Sequence, residues 1–356
     1  MTIKIIIAGL VLSCLLGMGG FAQQTKVSLS LPTAKGKALY LTNEQRNFAV
    51  EIPSDSKSNF KASVDLPGRG FYAIDQIGEI YLEPGNALQV VATGQQSYQF
   101  KGKQSKENEL LSRLKAVRAT MLPQNSIIKN APSFNLLQQP VQKFAITIQS
   151  YKDSVTKLVS ASKNIFFREI SVGDADSYCR VMLMNFDRFH EADSTSYIAS
   201  LDFINNAKSK TDPNFKFKMY RAWLLPLMDG FLNEEDRQAV YKLYNDGFRA
   251  NDHNLLQNST WYAIISSQMA LAEIPIDESK LKESYLRRLA AIPSKFPDST
   301  VMNYLTGLQG IEYLDAAQQA TTDFESAYEV LKSVSMSAQS RAMIERAFLQ
   351  MKRRQL

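Results

Sequence analysis

The chain has 356 residues, 45% of them hydrophobic and 21% charged, and a formal net charge of +6. That length exceeds one ordinary compact domain, and this composition supplies packed cores and excludes wholesale disorder. The positive residues are scattered, the densest run being Lys352, Arg353 and Arg354, so the basic stripe with interleaved aromatics expected of a nucleic-acid binder is missing.

The chain opens on MTIK, a short basic segment, followed by the apolar run IIIAGLVLSCLLGMG and the small-residue stretch GFA ending at Ala22. This order predicts a secretory signal over residues 1–22, cleaved before Gln23. It is too short and too abruptly followed by polar sequence to span a membrane. The expected location is the periplasm or the outer membrane's surface, with no transmembrane span in the mature chain. VLSC, ending at Cys14, loosely resembles a lipoprotein box and makes Cys14 the candidate lipidation site, the one route to membrane attachment. The stretch after it, LLGMGGFA, is apolar where a lipidated cysteine is usually followed by a polar tether, so simple cleavage is favoured.

Residues 23–104 alternate with period two. KVSLSL, KALYLTN, NFAVEIP, NFKASVDLP, GFYAIDQIG, EIYLEPGNALQVVAT and SYQFKG are short runs rich in β-branched and aromatic residues, divided by PTAKG, PSDSKS, PGRG and TGQQ. Such even spacing predicts an all-β, sandwich-like module with one face of each strand in the core and the other in water. Pro84-Gly85 splits one run into two strands, because proline presets the first turn residue and glycine accepts the positive φ that a type II turn needs next.

Residues 105–356 read as a large, irregular all-α domain, making the fold class α+β. Ser105, with Asn108 or Glu109 behind it, resembles a capping box before the periodic Leu110, Leu111, Leu114 and Val117. Residues 141–162 place Phe144, Ile148, Tyr151, Val155 and Leu158 along one side. Residues 174–189 form a second such segment. Residues 214–232 are the most apolar and are expected to be central, with Pro226 kinking or ending the helix. Helices follow after the Asn233–Asp236 cap and near 259–271, 279–291, 300–313, 324–333 and 338–353. No repeat of fixed period emerges.

YLEPGNALQV followed by YQFKGKQSKENELL resembles the β-domain and helix start found ahead of the redox domain in TlpA-like disulfide reductases, the secreted thioredoxin-like proteins of Gram-negative bacteria. Leu82, Glu83, Pro84, Gly85 and Leu88 match the first element, and Phe100, Gly102, Asn108 and Leu110 the second. The resemblance implies an exported β-plus-helical architecture and a docking role beside a thioredoxin fold. It does not carry the redox chemistry: Trp223 is followed by Leu224 and Trp261 by Tyr262, so the Trp-Cys-x-x-Cys of that family has no counterpart. Thiol exchange needs an attacking thiolate and a resolving partner. After cleavage only Cys179 remains, in a helical apolar context that reads as a buried small hydrophobe.

Other chemistry is equally unsupported by motif. The two histidines exclude a three-histidine metal centre. His190 in HEAD reads as a solvated polar cluster, and Asp252-His253 as loop and turn chemistry. Glu234 and Glu235 fit a helix's first turn, where negative charge meets the positive dipole end. Asn258-Ser-Thr260 is formally a glycosylation acceptor. Serine-hydrolase elbows, phosphate loops and dinucleotide fingerprints are missing. No catalytic, cofactor-binding or metal-ligating residue is therefore assigned, and no cofactor is expected. With 19 Phe and 15 Tyr, some aromatics are expected to line a groove for a peptide or protein. The expectation is a non-enzymatic binding or scaffold protein whose partner is a separate thioredoxin-fold protein or another envelope protein. Two rivals stay open: the front part or partner subunit of a thiol–disulfide oxidoreductase, and a hydrolase or sugar-active protein whose carboxylates meet only in space.

Overall fold

The computed structural model describes residues 24–34, 39–43, 48–55, 58–94, 97–123, 136–137, 139–190, 234–249, 251–271, 274, 276–321 and 323–355. These show eight strands followed by a mostly helical region, an α+β fold. The chain divides into two compact units, with the boundary between Glu109 and Leu110. The predicted signal segment, Cys14, the apolar stretch 214–232 and most of HEAD lie outside the described residues.

The first unit holds β1 (Thr25–Ser30), β2 (Leu39–Asn43), β3 (Ala49–Ile52), β4 (Asn59–Val64), β5 (Gly70–Ile74), β6 (Gly78–Leu82), β7 (Ala87–Gly94) and β8 (Ser97–Gly102). They form two four-stranded sheets, in the orders β4-β1-β7-β8 and β3-β2-β5-β6. Val27, Leu29, Phe60 and Val90 of one sheet join Leu39, Leu41, Ile52 and Ile80 of the other in one core, which makes the unit a β-sandwich. Period-two alternation places these residues inward. Two features depart from the simple pattern. β1 and β7 pair in parallel, with Leu29 opposite Val90. In β5 and β6 the opposite face is also covered, since Phe71 and Tyr81 are buried as well and meet edge to face at 6.1 Å.

Motif residues of the sequence account for the mending of this sheet's edge. Glu83 to Asn86 make the predicted turn, with Asn86 N–H donating to Glu83 O at 3.3 Å and Gly85 at φ 78°. β6 lies at a sheet edge, where unpaired peptide groups are a liability. The Asn108 amide replaces a neighbouring strand: Tyr81 N–H donates to its Oδ1 at 2.9 Å and its Nδ2 donates to Tyr81 O at 3.0 Å. Asn108 therefore spends its side chain on β6 rather than on the expected capping box. Glu83 accepts from the Tyr81 hydroxyl at 2.7 Å and from Asn86 Nδ2 at 3.2 Å. At Gly102, φ is +113° and a Cβ would stand 2.2 Å from Ala87 O, so only glycine fits.

The second unit contains most of α1 (Ser105–Met121), then α2 (Val141–Val159), α3 (Ile165–His190), α4 (Glu234–Asn245), α5 (His253–Asn258), α6 (Thr260–Leu271), α7 (Leu281–Lys295), α8 (Ser299–Thr321), α9 (Phe324–Ser333) and α10 (Ala338–Gln355). α2 buries Val141, Phe144, Ile148, Tyr151, Val155 and Val159. Val159, four residues after Val155, takes the place expected for Leu158, which is half-buried. α5 is a six-residue helix with only two buried positions, too short to show a period in sequence. A core of Tyr262, Ile292, Val301 and Leu305 lies among α6, α7 and α8, and another of Tyr285, Leu314, Phe324 and Ile344 among α7 to α10.

Candidate functional site

Asn164 begins α3 by accepting from Phe167 N–H at 3.1 Å, and Asp252 caps α5 by accepting from Leu255 N–H at 3.0 Å. Gly247 and Asn251 take positive φ, 67° and 64°, and so turn the segment between α4 and α5 back on itself. Gly173 lets α3 and α5 approach closely: a Cβ there would come within 2.3 Å of Leu255 Cδ2. Beside this crossing lies a cleft of about 830 Å³, within the range of about 300–1,000 Å³ usual for small-molecule sites. α2 contributes Lys152 and Val159, α3 contributes Phe166, Arg168, Glu169 and Asp176, and the α4–α5 segment contributes Phe248 and Arg249.

One wall is a charged clamp. Asp176 accepts from Lys152 Nζ at 2.5 Å and from Arg180 Nε at 2.7 Å. Burial would raise the Asp176 carboxyl, but the hydrogen bonds from Lys152 and Arg180 outweigh it and hold it below the usual carboxylate range. Arg180 also donates to the carbonyls of Tyr244 at 2.6 Å and Asp246 at 2.8 Å, so its fork ties α3 to the end of α4. Its guanidinium lies 5.5 Å from the Phe248 ring centroid, and Phe248 stacks on Tyr262 at 5.6 Å. The Tyr262 hydroxyl donates to Arg249 O at 2.6 Å and accepts from Asp252 N–H at 2.8 Å. The segment that carries Arg249 is thus held from both sides.

Behind the cleft, Asp174 is a hub. It pairs with Arg118 and accepts from Ser259 Oγ at 2.6 Å. Ser259 in turn accepts from Tyr262 N–H at 3.1 Å and so starts α6. Arg118 donates to the Tyr151 hydroxyl at 3.1 Å and lies 4.8 Å from the Tyr178 ring centroid. Burial pushes the Tyr151 hydroxyl up to about 12. Cys179 is 1% exposed and unbridged, and burial pushes its thiol up to about 12, so at neutral pH it stays protonated and a poor nucleophile.

The residues singled out in the sequence are dispersed. His253 Nε2 lies 2.6 Å from Asp298, whose carboxylate accepts from the N–H groups of Thr300 and Val301 at 2.9 and 3.0 Å. That pair joins two helix starts. α4 begins at Glu234, and Glu235 in its first turn is exposed. Asn258 is 3% exposed and donates to Asn254 O at 2.8 Å, so it presents no glycan acceptor. Among the aromatics of the helical segments, Phe248 and Tyr262 line the cleft, whereas Tyr285, Tyr304 and Tyr313 are core and Tyr241 is 52% exposed. The lining spans residues 152–262, and its cations carry no motif that sequence inspection could single out. Among the described residues, no group of three or more His, Cys, Asp or Glu side chains is placed to hold a metal ion, and no helix is long and apolar enough to cross a membrane.

No family model, curated protein or solved structure matches this chain.

Proposed function

We propose that this is a non-enzymatic exported protein of the cell envelope, a binding or scaffold module whose helical unit receives a small ligand in the α2–α3–α5 cleft. The observation that carries this reading is the commitment of both aspartates of the cleft, which leaves Glu169 as its one exposed carboxylate and so no pair of carboxylates for acid–base work. Asp176 is held by Lys152 and Arg180, and Asp252 is spent on the start of α5. A general acid or base must exchange a proton with its substrate, and a carboxylate locked in an ion pair or cap is poorly placed to do so. Preformed walls with fixed charges suit recognition instead. Export is supported by the order basic start, apolar run and small residues over 1–22, and kinship with thioredoxin-like proteins by the LEPG…G…N pattern, whose residues here clasp the edge of a sheet.

A second reading is favoured by that same pattern: the chain is the front part, or the partner subunit, of a thiol–disulfide oxidoreductase. In that case the exchange chemistry belongs to a separate thioredoxin fold, because the buried, protonated Cys179 supplies no attacking thiolate.

The intact mass of the protein isolated from its own envelope separates the readings. A mass beginning at Gln23 and ending at Leu356 supports the free-standing binding protein. A lipid-sized increment on Cys14 places it on a membrane, and an excess of a whole domain favours the oxidoreductase reading.

A further inference from the structure

We infer that the cleft recognises an organic monoanion with an apolar body, a carboxylate on a hydrocarbon frame. This rests on the proposal that the cleft is a ligand site and specifies what the site selects. Lys152, Arg168, Arg180 and Arg249 line it against Glu169, Asp176 and Asp252, which leaves one net positive charge. Those charges are not equivalent. Arg180 has its Nε and both terminal nitrogens engaged with Asp176, Tyr244 O and Asp246 O, and Lys152 is engaged with Asp176. Arg168 keeps only a long contact, 3.5 Å, to Ser162 O, and the Arg249 guanidinium has no partner among the described residues. Two guanidiniums therefore remain to meet a ligand.

The planar fork of arginine matches a carboxylate, to which it donates two parallel hydrogen bonds. Glu169, exposed on the same lining, repels a second negative charge and so favours a monoanion over a dianion. Beside the polar Thr156, Ser160, Ser177 and Asn254, the lining includes Val159, Phe166, Ile170 and Leu255, with Val172 37% exposed at the cleft. Val172 and the half-buried Leu255 leave apolar surface that a hydrocarbon body can cover and an inorganic ion cannot. The backbone at Arg249 is also fixed before any ligand arrives, since Tyr262 holds its carbonyl and Arg180 the segment before it.

The test is isothermal titration of the purified full chain with sodium decanoate, decan-1-ol and inorganic phosphate, repeated on R168A, R249A and R249K. Far-UV circular dichroism shows whether each variant is folded. The expected result is binding of decanoate above both other probes, weakened about tenfold or more by R249A and R168A, with R249K retaining part of the affinity. Equal binding of decanoate and decan-1-ol, unchanged in the variants, overturns the anion selectivity and leaves the cleft as an apolar site. Phosphate binding above decanoate overturns the requirement for an apolar body. Binding of none of the three by a folded chain overturns the inference together with the cleft as a ligand site.

Discussion

In the sandwich, the polar groups withdrawn from water are satisfied close to one strand edge: Asn108 pairs with Tyr81, and Glu83 accepts from Tyr81 and Asn86. In the helical unit charged groups join distant parts of the chain, as when Asp174 pairs with Arg118 and accepts from Ser259, the latter 85 residues away. The first arrangement repairs a defect of sheet geometry, because an edge strand has peptide groups with no neighbour. The second braces helices, which satisfy their own backbones and have only side chains with which to fix their relative placement. Buried charge is also harder to leave unpaired than a buried amide. The helical unit should therefore depend more steeply on single polar side chains than the sandwich does.

The comparison can be broken by mutation, because Trp261 lies on α6, so its fluorescence in a Trp223→Phe background reports on the helical unit. The largest effect is expected for Asp174→Ala, which leaves the half-buried Arg118 without its carboxylate and Ser259 without its acceptor. It should destabilise the helical unit by about 3 kcal/mol in urea titrations read by fluorescence. A loss under about 1 kcal/mol would place the pair among ordinary surface bridges.

Gly102→Ala should cost the sandwich about 2–3 kcal/mol, from backbone strain at positive φ together with the clash at Ala87 O. Hydrogen exchange of the β7 and β8 amides measures it, and unchanged protection would show that the strand pair shifts freely. Asn108→Ala removes both side-chain bonds to the Tyr81 peptide and should cost about 2 kcal/mol, again read by exchange in β6.

Acid sharpens the contrast without mutation. The folded Asp176 titrates below its ordinary value of 3.8, so the stability it contributes is present above about pH 4 and is lost as pH falls through the lower folded value. Fluorescence should report loosening of the helical unit below pH 4, and the variant Asp176→Asn should lose part of that acid dependence. The smallest change is expected for Gly173→Ala. The gain in helix propensity of about 1 kcal/mol is opposed by the push on the Leu255 side chain, leaving stability nearly unchanged while narrowing the cleft. Decanoate titration of this variant should show weaker binding at unaltered urea midpoint.

What could be read without the structure was whatever depends on near neighbours in the chain. The alternation of KVSLSL and KALYLTN, the Pro84-Gly85 turn, the periodic Phe144, Ile148, Tyr151 and Val155, and the helix Phe324–Ser333 all follow from backbone angles and spacings of two to four residues. Even there the reading slipped where tertiary demands intervened: Asn108, apparently a cap, is spent on β6, and Phe71 and Tyr81 are buried on a face expected to be wet. The parallel pairing of β1 with β7, the Asp174 hub and the cleft could not be read in this way. They depend on which distant segments the folded path brings together, and a single sequence encodes that path only through the summed burial of many side chains, not through any local pattern. Lys152, Arg168, Arg180 and Arg249 look like ordinary solvated charges along the chain; only the close approach of α3 to α5 at Gly173, and the turn held by Arg180 and Tyr262, places them around one cleft.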